Sequence, residues 1–513
     1  MPGKTATPSG QVGRSALIYA AAFVISAAML ASLVARPQPS LVHMPLTEDG
    51  YYTLSVARQI GLGHGITIDG QQWTNGIQPL FAFLLAPFYW LTGGDRYASL
   101  RAVLAVHWLL HTATALLLGS IARSSVPLTD RDRRRAVFWL TALLWMGSRF
   151  VLLNAYNGLE TGLALLLYAV VWRCCQLGWL DGPRLWGLGL MLGLLVLARI
   201  DAAVFVATLG AVELLRREAP LRTRLRRAAV LTLVPLAVSL PWWLYNVIGF
   251  GSLMPSSGEA QAGPFAIGRV AALGQALLQV AAPFIQVRWI EGPLQTLAQV
   301  GAVALVGWVF VRRVLPRVKD TETARAGSAL ALSTCLLGLY YLGFSAAAHF
   351  YGRYLAPLML VSIPLTAVAL VEVRRLRTFF QGAAILALAS MAAVSAIAWD
   401  VQAGASRSGY YDEQLRLVED HVPPGDAVGA FQSGTIGYFR DRVLNLDGKV
   451  NAEALRRRGD SQAYVAERGV NWFCDREGSF AGAGSPPGVW LPVATRGSFT
   501  LYRRASPTSG STR

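Results

Sequence analysis

One stretch near the N-terminus decides the fold class: ALIYAAAFVISAAMLASLVA, which runs from Ala16 to Ala35. It carries no charged residue and reaches the length of about 20 apolar residues that a helix needs to cross a bilayer. Basic residues precede it at Lys4 and Arg14, as they do in a cleavable signal peptide, which is one interpretation. Because the apolar run is long enough to remain in the membrane, we interpret it as the first transmembrane helix.

The composition extends this interpretation to the rest of the chain. Of the 513 residues, 54% are hydrophobic and only 15% are charged, and the mean hydropathy is +0.42. These values differ from those of ordinary soluble domains, and apolar runs recur along most of the chain. The sequence therefore predicts a polytopic α-helical membrane bundle.

The net charge of +17 is concentrated in clusters between the apolar runs. Such clusters in short loops mark the cytoplasmic side of a membrane protein. A nucleic-acid-binding protein would concentrate its basic residues on a separate domain, so we exclude a nucleic-acid partner. The clusters consist of Arg123, Arg131, Arg133, Arg134 and Arg135; Arg216, Arg217, Arg222, Arg224, Arg226 and Arg227; Arg312, Arg313, Arg317, Lys319 and Arg325; and Arg374, Arg375 and Arg377.

Placing these clusters in the cytoplasm predicts about 11 transmembrane helices and a cytoplasmic N-terminus. The run 185–215 is too long for one span and is interrupted by Arg199 and Asp201. We therefore interpret it as a short helical pair with its turn at the outer face. The other predicted spans are 16–35, 97–121, 136–153, 159–172, 228–247, 297–311, 328–347, 354–371 and 383–398.

Two further apolar segments, 79–91 and 267–287, are assigned to the outer membrane surface. If either one alone crossed the membrane, every later arginine cluster would face outward. We therefore predict interfacial amphipathic helices for both, with 50–60 as a third candidate. An ordinary short span is the alternative for each of them.

The chain changes character near residue 401. Short apolar segments alternate there with polar, helix-prone stretches, which is typical of a small α/β domain. We predict a transmembrane domain over residues 1–400 and an extracytoplasmic α/β domain over residues 401–513. The predicted strands are 427–431, 443–446, 470–473, 488–491 and 499–502.

Unusual polar residues of the membrane region gather on the predicted outer side. Ionisable side chains near hydrocarbon are energetically costly and tend to mark functional sites. They are Glu48, Asp49, Arg58, His64, Glu160, Arg199, Asp201, Glu259, His349 and Arg353.

Several of these residues also have a purely structural interpretation. Glu160 would complement the positive N-terminal end of its helix. Arg199 and Asp201 would form an ion pair across a turn. Glu48 and Asp49 would cap the helix that follows them. The functional interpretation rests on the residues as a set.

The sequence gives no clear metal site. His107 and His111 are one helical turn apart, which is a metal-binding spacing but is more typical of buried core histidines. The four cysteines show neither a disulfide framework nor metal-ligand spacing. We assign no metal ligands, and a divalent metal held by the first-loop acids Glu48 and Asp49 remains an open alternative.

The outer-side residues match what transfer of a sugar from a lipid phosphate requires. A carboxylate must accept the proton of the attacking hydroxyl, and cations such as arginine must hold the phosphate leaving group. An apolar groove must hold the polyprenyl chain. A cavity that contained Glu48, Asp49, Arg199 and Arg353 beside interfacial helices would supply all three.

An ordered series of short motifs resembles the GT-C superfamily of membrane glycosyltransferases. EDGYY at 48–52 is similar to the superfamily's acidic first-loop motif. The later motifs follow the order found in bacterial arabinofuranosyltransferase-like members and cover most of the chain. They are AR at 57–58, GHG at 63–65, TNGIQPL at 74–80, NGLET at 157–161, HFYGRY at 349–354, GTIGY at 434–438 and NLDG at 445–448.

This resemblance implies an inverting glycosyltransferase that uses a polyprenyl-phosphate sugar at the outer leaflet of the bacterial inner membrane. The acceptor would be a glycan, a lipid or a protein, and a first-loop acid would be the catalytic base. Glu48 stands where the motif has Asp, and Gly50 where it has Ala. We prefer Asp49 as the base and Glu48 as its partner. The expected substrate-binding residues are Arg58, His64, Asn75, Glu160, Arg199, Asp201, His349, Arg353 and Tyr354.

Two other functions remain as alternatives. A lipid-linked glycan transporter or flippase would distribute polar residues through the membrane and open to both faces, whereas the charges here gather on one side. A glycan polymerase or ligase would use a diphosphate-linked donor rather than a monophosphate-linked one.

Overall fold

A computed structural model describes residues 8–43, 45–126, 130–285, 292–318, 321–372, 410–476, 479 and 490–505. The first part of the chain forms a bundle of helices, and the last part forms a five-stranded sheet with helices. This arrangement confirms a helical bundle followed by a small α/β region.

The helices of the bundle follow the predicted apolar runs, and most begin or end within a few residues of the predicted bounds. They are α1 (Pro8–Ala31), α2 (Glu48–Gly61), α3 (Pro79–Leu91), α4 (Arg96–Ala122), α5 (Arg131–Gly147), α6 (Arg149–Ala155), α7 (Thr161–Gln176), α8 (Arg184–Ala198), α9 (Ala203–Leu215), α10 (Leu221–Phe250), α11 (Arg269–Ala281), α12 (Pro293–Val309), α13 (Glu322–Phe344) and α14 (Met359–Glu372). Single helical turns occur at Gln38–Leu41, Ser256–Ala260, Leu315–Val318 and Tyr351–Tyr354.

In the part of the chain that the structure describes, 6 helical segments are long and apolar enough to cross a membrane. Counting the bent pair α5 and α6 as one span gives 7. These numbers are typical of a multi-pass membrane protein. The six segments are Ala16–Ala35, Arg96–Ala122, Leu221–Phe250, Pro293–Arg317, Glu322–Phe344 and Ala348–Glu372.

The predicted count of about 11 spans is not confirmed. The helices at three of the predicted spans, α7, α8 and α9, have 16, 15 and 13 residues. At about 1.5 Å per residue they are shorter than the hydrocarbon core of about 30 Å. The predicted span 383–398 lies outside the described residues.

The break inside the run 185–215 is where the sequence places it. Arg199 has an extended backbone (φ −150°, ψ 115°) and ends α8, and a short 3-10 turn leads from Ile200 into α9. The two helices therefore form the predicted pair, and the turn carries Arg199 and Asp201.

Each of the three segments predicted to be interfacial contains or lies in a helix, but one of these helices is not a surface helix. Segment 79–91 forms α3, and segment 267–287 contains α11. Segment 50–60 lies in α2, where most residues from Glu48 to Gln59 are buried. Because α2 packs between α3 and the C-terminal region, the amphipathic surface helix proposed for 50–60 is a wrong prediction.

The C-terminal sheet contains strands close to all five predicted positions: β1 (Val428–Ala430), β2 (Val443–Asn445), β3 (Trp472–Arg476), β4 (Trp490–Arg496) and β5 (Phe499–Arg504). Their order is β2-β1-β3-β5-β4, with β1 parallel to β2 and β3. The pairs β3–β5 and β5–β4 are antiparallel. The accompanying helices are α15 (Tyr410–His421), α16 (Gly434–Phe439), a turn at Ala452–Arg456 and α17 (Ser461–Glu467).

The sheet region is attached to the bundle through α16 and the loop after β2. Helix α16 packs directly on α2, and the Tyr438 hydroxyl donates to the Arg96 carbonyl at 2.9 Å. The Arg96 side chain in turn donates to the Tyr438 carbonyl at 2.7 Å. These contacts bring the loop after β2 to the end of the bundle where α2 begins.

Candidate active site

A cavity of about 720 Å³ opens where the start of α2, the α8–α9 turn and the loop after β2 meet. The loop after α10 and the segment before α14 complete its wall. Its charged lining residues are Asp49, Glu160, Arg199, Asp201, Glu259, Arg353 and Lys449. Residues that are far apart in the sequence therefore meet in one site.

Asp49 is the first-loop acid that faces the cavity. It lies in the first turn of α2, and its Oδ1 is 2.8 Å from the Lys449 ammonium. Burial disfavours its charged form, but Lys449 and Arg353 outweigh burial and leave the pKa of Asp49 below its ordinary value. Asp49 is therefore ionised at neutral pH and able to accept a proton.

Glu48 points away from the cavity and binds the C-terminal region. Its Oε1 accepts the backbone N–H of Gly434, and its Oε2 accepts the N–H and hydroxyl of Thr435 at 2.9 and 2.6 Å. Burial raises the pKa of Glu48 to about 7, although these hydrogen bonds favour the charged form. Glu48 thus connects α2 to the start of α16, and the helix cap for α2 is at Thr47 rather than at either acid.

Arg199 is held by two carboxylates. Its Nε and Nη2 lie 3.0 and 2.5 Å from the two Asp201 oxygens, and its Nη1 is 3.2 Å from Glu160 Oε1. The Tyr341 hydroxyl donates to Asp201 at 2.8 Å. The predicted turn ion pair is therefore present, and it extends to Glu160 at the start of α7.

Arg353 is the least committed cation of the cavity. Among the described residues it has no ion-pair partner, and its Nε is buried without a hydrogen bond. Its guanidinium lies 4.6 Å from the centre of the Phe350 ring and 5.4 Å from that of Tyr354. Tyr354 stacks on Tyr341 at 3.9 Å and donates to Gln261 at 2.5 Å. Arg353 is thus presented to the cavity by aromatic rings.

One wall of the cavity is apolar and reaches the outside of the bundle. Phe344 and Tyr340 of α13 line it and are 65% and 41% exposed, and Met254 after α10 is 40% exposed. Exposed apolar side chains beside a polar cavity suit a lipid chain that enters from the bilayer.

Besides Glu48, four predicted site residues do not line the cavity. Arg58 donates to the Gly94 carbonyl at 2.9 Å, and His64 Nδ1 is 2.7 Å from Gln59 Oε1. The contact of His64 lies within the first loop, whereas Arg58 Nη1 is also 3.8 Å from Asp441 of the C-terminal region. Asn75 is buried and accepts the Ser256 N–H, and His349 stacks on Phe350. Of these residues, His349 lies near enough to Asp49 to interact with it electrostatically.

The sequence analysis did not identify Lys449. It is one of only three lysines in a chain with 46 basic residues, and it directly follows the NLDG motif. The rarity of lysine in this chain is a feature by which Lys449 can be singled out from the sequence. Its position against Asp49, however, depends on a contact across 400 residues of sequence.

Gly50 lies where α2 closely approaches the loop before α7. A Cβ atom at Gly50 would lie 2.2 Å from the Asn157 carbonyl oxygen. No real contact is that short, so alanine does not fit this arrangement. The loop carries Glu160, and the close approach therefore sets the distance between the first-loop acids and the Arg199 network.

The predicted alternatives for a metal site are not supported by the donor groups. His107 and His111 are buried in the bundle. His111 accepts the Trp145 indole N–H at 3.1 Å and meets the Tyr156 ring edge-on, whereas His107 stacks on that ring. Within the described ranges no group of three or more His, Cys, Asp or Glu side chains could hold a metal ion. The two histidines are therefore core residues.

The fold can now be compared with known proteins. The structure of ArnT from Cupriavidus metallidurans bound to undecaprenyl phosphate aligns with a TM-score of 0.60 over 99% of this chain and 100% of that one, at 12% identity. The fold of this chain is therefore similar to that of ArnT. The Archaeoglobus fulgidus oligosaccharyltransferase tethered with an acceptor peptide is also similar in fold, with a TM-score of 0.51 over 89% of this chain and 69% of that one, at 13% identity.

Comparison by sequence gives one family match. Residues 401–507 match a family described as a domain of unknown function (DUF8728). No curated protein matches the chain significantly by sequence. The likeness to ArnT and to the oligosaccharyltransferase thus concerns the fold, and the function has to be argued from the cavity.

Proposed function

We propose that this chain is an inverting glycosyltransferase that moves a sugar from a polyprenyl-phosphate donor to a cell-envelope acceptor. The reaction would take place on the outer face of a bacterial inner membrane. One observation carries the proposal: an ionised carboxylate, Asp49, and an uncommitted guanidinium, Arg353, face the same cavity beside an apolar wall.

The proposed step is a single displacement. Asp49 accepts the proton of the acceptor hydroxyl while that oxygen forms a bond to the anomeric carbon of the sugar. The bond between this carbon and the phosphate oxygen breaks, and its electron pair leaves with the polyprenyl phosphate. Arg353 binds this phosphate, because its donors have no carboxylate partner among the described residues. Attack from the face opposite the leaving group inverts the anomeric configuration.

The Arg199 network would position the sugar. Arg199 is already bound to Asp201 and Glu160, which limits its capacity to bind a phosphate. The two carboxylates have spare lone pairs that suit sugar hydroxyls. We therefore assign phosphate binding to Arg353, and sugar or acceptor binding to Glu160 and Asp201.

The structural neighbours agree with this choice of donor. The ArnT structure contains undecaprenyl phosphate, and a structure of AglB from Archaeoglobus fulgidus contains dolichol-phosphate. The AglB structure aligns with a TM-score of 0.50 over 89% of this chain and 69% of that one, at 13% identity. A polyprenyl chain in our protein would lie along the apolar wall at Tyr340 and Phe344. We further propose a transmembrane domain over 1–400, an extracytoplasmic domain over 401–513 and a cytoplasmic N-terminus.

The first-loop acids do not fit a divalent metal. Both Glu48 oxygens accept hydrogen bonds from the C-terminal region, and Asp49 is paired with Lys449. A cation beside Asp49 would have to displace the Lys449 ammonium. We derive no step through a metal.

The experiment that tests the proposal is transfer from a panel of radiolabelled polyprenyl-phosphate sugars to endogenous acceptors in membranes. It compares wild type with a variant in which Asp49→Asn and Glu48→Gln are combined, each with and without a chelator. We expect labelled product with one donor, inverted at the anomeric carbon, lost in the variant and unaffected by the chelator.

Other outcomes would separate the alternatives. Wild-type turnover in the double variant contradicts the proposal. Product only from diphosphate-linked donors favours a polymerase or ligase. Movement of labelled lipid across vesicles without any transfer favours a transporter.

A further inference from the structure

Lys449 is a cation of the cavity that belongs to the C-terminal region and not to the helical bundle. It follows β2 in the C-terminal region, and its ammonium lies 2.8 Å from Asp49 and 3.7 Å from Asp447. Burial disfavours a charged lysine here, but the two carboxylates outweigh burial and raise its pKa above the ordinary value. Lys449 therefore carries a positive charge in the cavity.

The backbone that carries Lys449 is fixed from both halves of the protein. On the sheet side, Asp447 Oδ1 accepts the Lys449 N–H at 2.8 Å, and Asn445 Oδ1 accepts the Gly448 N–H at 3.1 Å. On the bundle side, the Ser256 hydroxyl donates to the Lys449 carbonyl at 2.8 Å. These hydrogen bonds hold the Lys449 backbone beside the cavity, and the two carboxylates hold its ammonium.

The sequence leaves room for this loop in the bundle. A Cβ atom at Gly76 would lie 1.8 Å from the Lys449 carbonyl oxygen. Tyr52 also lines the cavity. Its hydroxyl donates to Asp447 Oδ2 at 3.0 Å, and the centre of its ring is 6.0 Å from the Lys449 ammonium. The first outer loop is thus shaped to receive Lys449.

Lys449 and Arg353 are placed to act on one anion. They flank the same aromatic ring, with the Lys449 ammonium 5.9 Å and the Arg353 guanidinium 4.6 Å from the centre of Phe350. Arg199, the other cavity arginine, is bound to two carboxylates. Phosphate in a diester carries one negative charge, whereas a terminal phosphate carries about 1.5 to 2 at neutral pH. Negative charge therefore grows on the leaving group during transfer, and cations placed beside it stabilise that change.

We propose that Lys449 is a phosphate-binding residue of the active site, so that the C-terminal region completes the donor site rather than only recognising the acceptor. In the structure its ammonium pairs with Asp49, and on binding of the lipid phosphate it is shared between Asp49 and a phosphate oxygen. The inference rests on the proposed function, and it adds a donor contact from outside the membrane bundle.

The test measures binding of two probes to the purified full-length protein: undecaprenyl phosphate and the uncharged alcohol undecaprenol. The variants are Lys449→Met, Lys449→Arg and a matched control, Arg458→Met. Arg458 also joins the C-terminal region to the bundle, because it donates to the Ala260 carbonyl, and it donates to the Asp447 carbonyl within its own region, but it does not line the cavity.

We expect Lys449→Met to weaken undecaprenyl phosphate binding by about 10- to 100-fold, as loss of a charge-assisted contact would. Undecaprenol binding should be unchanged. Lys449→Arg should stay within about threefold of wild type because it keeps the charge, and Arg458→Met should match wild type. Lys449→Gln, which also removes the charge, replaces Lys449→Met in the comparison if Lys449→Met does not fold, with the same expected loss.

Two results would overturn the inference alone. One is equal binding of undecaprenyl phosphate by wild type, Lys449→Met and Lys449→Arg. The other is an equal loss of both probes in Lys449→Met, which would make Lys449 a docking residue only. If wild type binds neither probe and transfers no sugar, the proposed function itself fails.

Discussion

Replacing Gly76 by alanine should move the C-terminal lysine away from the cavity without removing any charged side chain. The added Cβ would lie 1.8 Å from the Lys449 carbonyl oxygen and 2.9 Å from the Ser256 hydroxyl. Ordinary contact begins near 3.4 Å, so the Lys449 carbonyl has to retreat by roughly 1.5 Å. A shift of that size opens the 2.8 Å contact between Lys449 and Asp49. Since a misplacement of about 1 Å can cost about 100-fold in rate, we expect transfer to fall by about 100-fold.

The assay for this prediction is single-turnover transfer from the labelled polyprenyl-phosphate sugar that the donor panel identifies. The matched control is Gly249→Ala, because Gly249 lies in α10 and nothing is within 4 Å of an added Cβ there. Overpacking of this kind costs about 1–3 kcal/mol of stability, so the thermal unfolding of both variants is recorded as well. A folded Gly76→Ala protein that transfers sugar at the wild-type rate would refute the role given to the Lys449 loop.

Three further predictions follow from the same contacts. Because burial raises the pKa of Glu48 to about 7 from an ordinary 4.5, the contribution of Glu48 to stability is fully present below pH 4.5 and is lost, by roughly 3 kcal/mol, as the pH rises through 7. Thermal unfolding of wild type at pH 5.5 and 8 should show this loss, and an equal slope in Glu48→Gln would contradict it. Arg353→Gln should weaken undecaprenyl phosphate binding at least tenfold without loss of stability. Arg199→Gln should instead lower the free energy of unfolding by about 3–5 kcal/mol, because two buried carboxylates lose their partner. A larger loss of stability in Arg353→Gln than in Arg199→Gln would contradict both assignments. In a cysteine-free background, a membrane-impermeant maleimide should label Asp460→Cys from outside intact spheroplasts and Glu218→Cys only after lysis, and the opposite pattern would reverse the proposed orientation.

Local features of the chain were predictable because they depend on neighbouring residues. Apolar runs and arginine clusters predict where the helices begin and end. The bounds of α4 are predicted to within a few residues, and those of α10 to within about seven. The polar pair Arg199 and Asp201 inside one apolar run predicts the break between α8 and α9. The five short strands follow from β-type segments separated by turn residues.

The contacts that build the site were not predictable, because they join residues hundreds of positions apart. Glu48 and Asp49 are neighbours with similar surroundings in sequence, yet Glu48 binds Thr435 and Asp49 binds Lys449. A hydropathy pattern also does not say which short apolar helix crosses the bilayer. Helix α7 is an example, because its 16 residues have the apolar pattern of a span but are fewer than a helix needs to cross the bilayer.

The most direct test of the account compares Asp49→Asn with Glu48→Gln in purified protein, by single-turnover transfer at saturating donor. The cavity assigns proton transfer to Asp49 and docking of the C-terminal region to Glu48. We predict that Asp49→Asn lowers the rate by about 100- to 10,000-fold, the usual contribution of a general base, while Glu48→Gln stays within about tenfold of wild type. A Glu48→Gln protein that is folded but inactive, beside an active Asp49→Asn protein, would contradict the account.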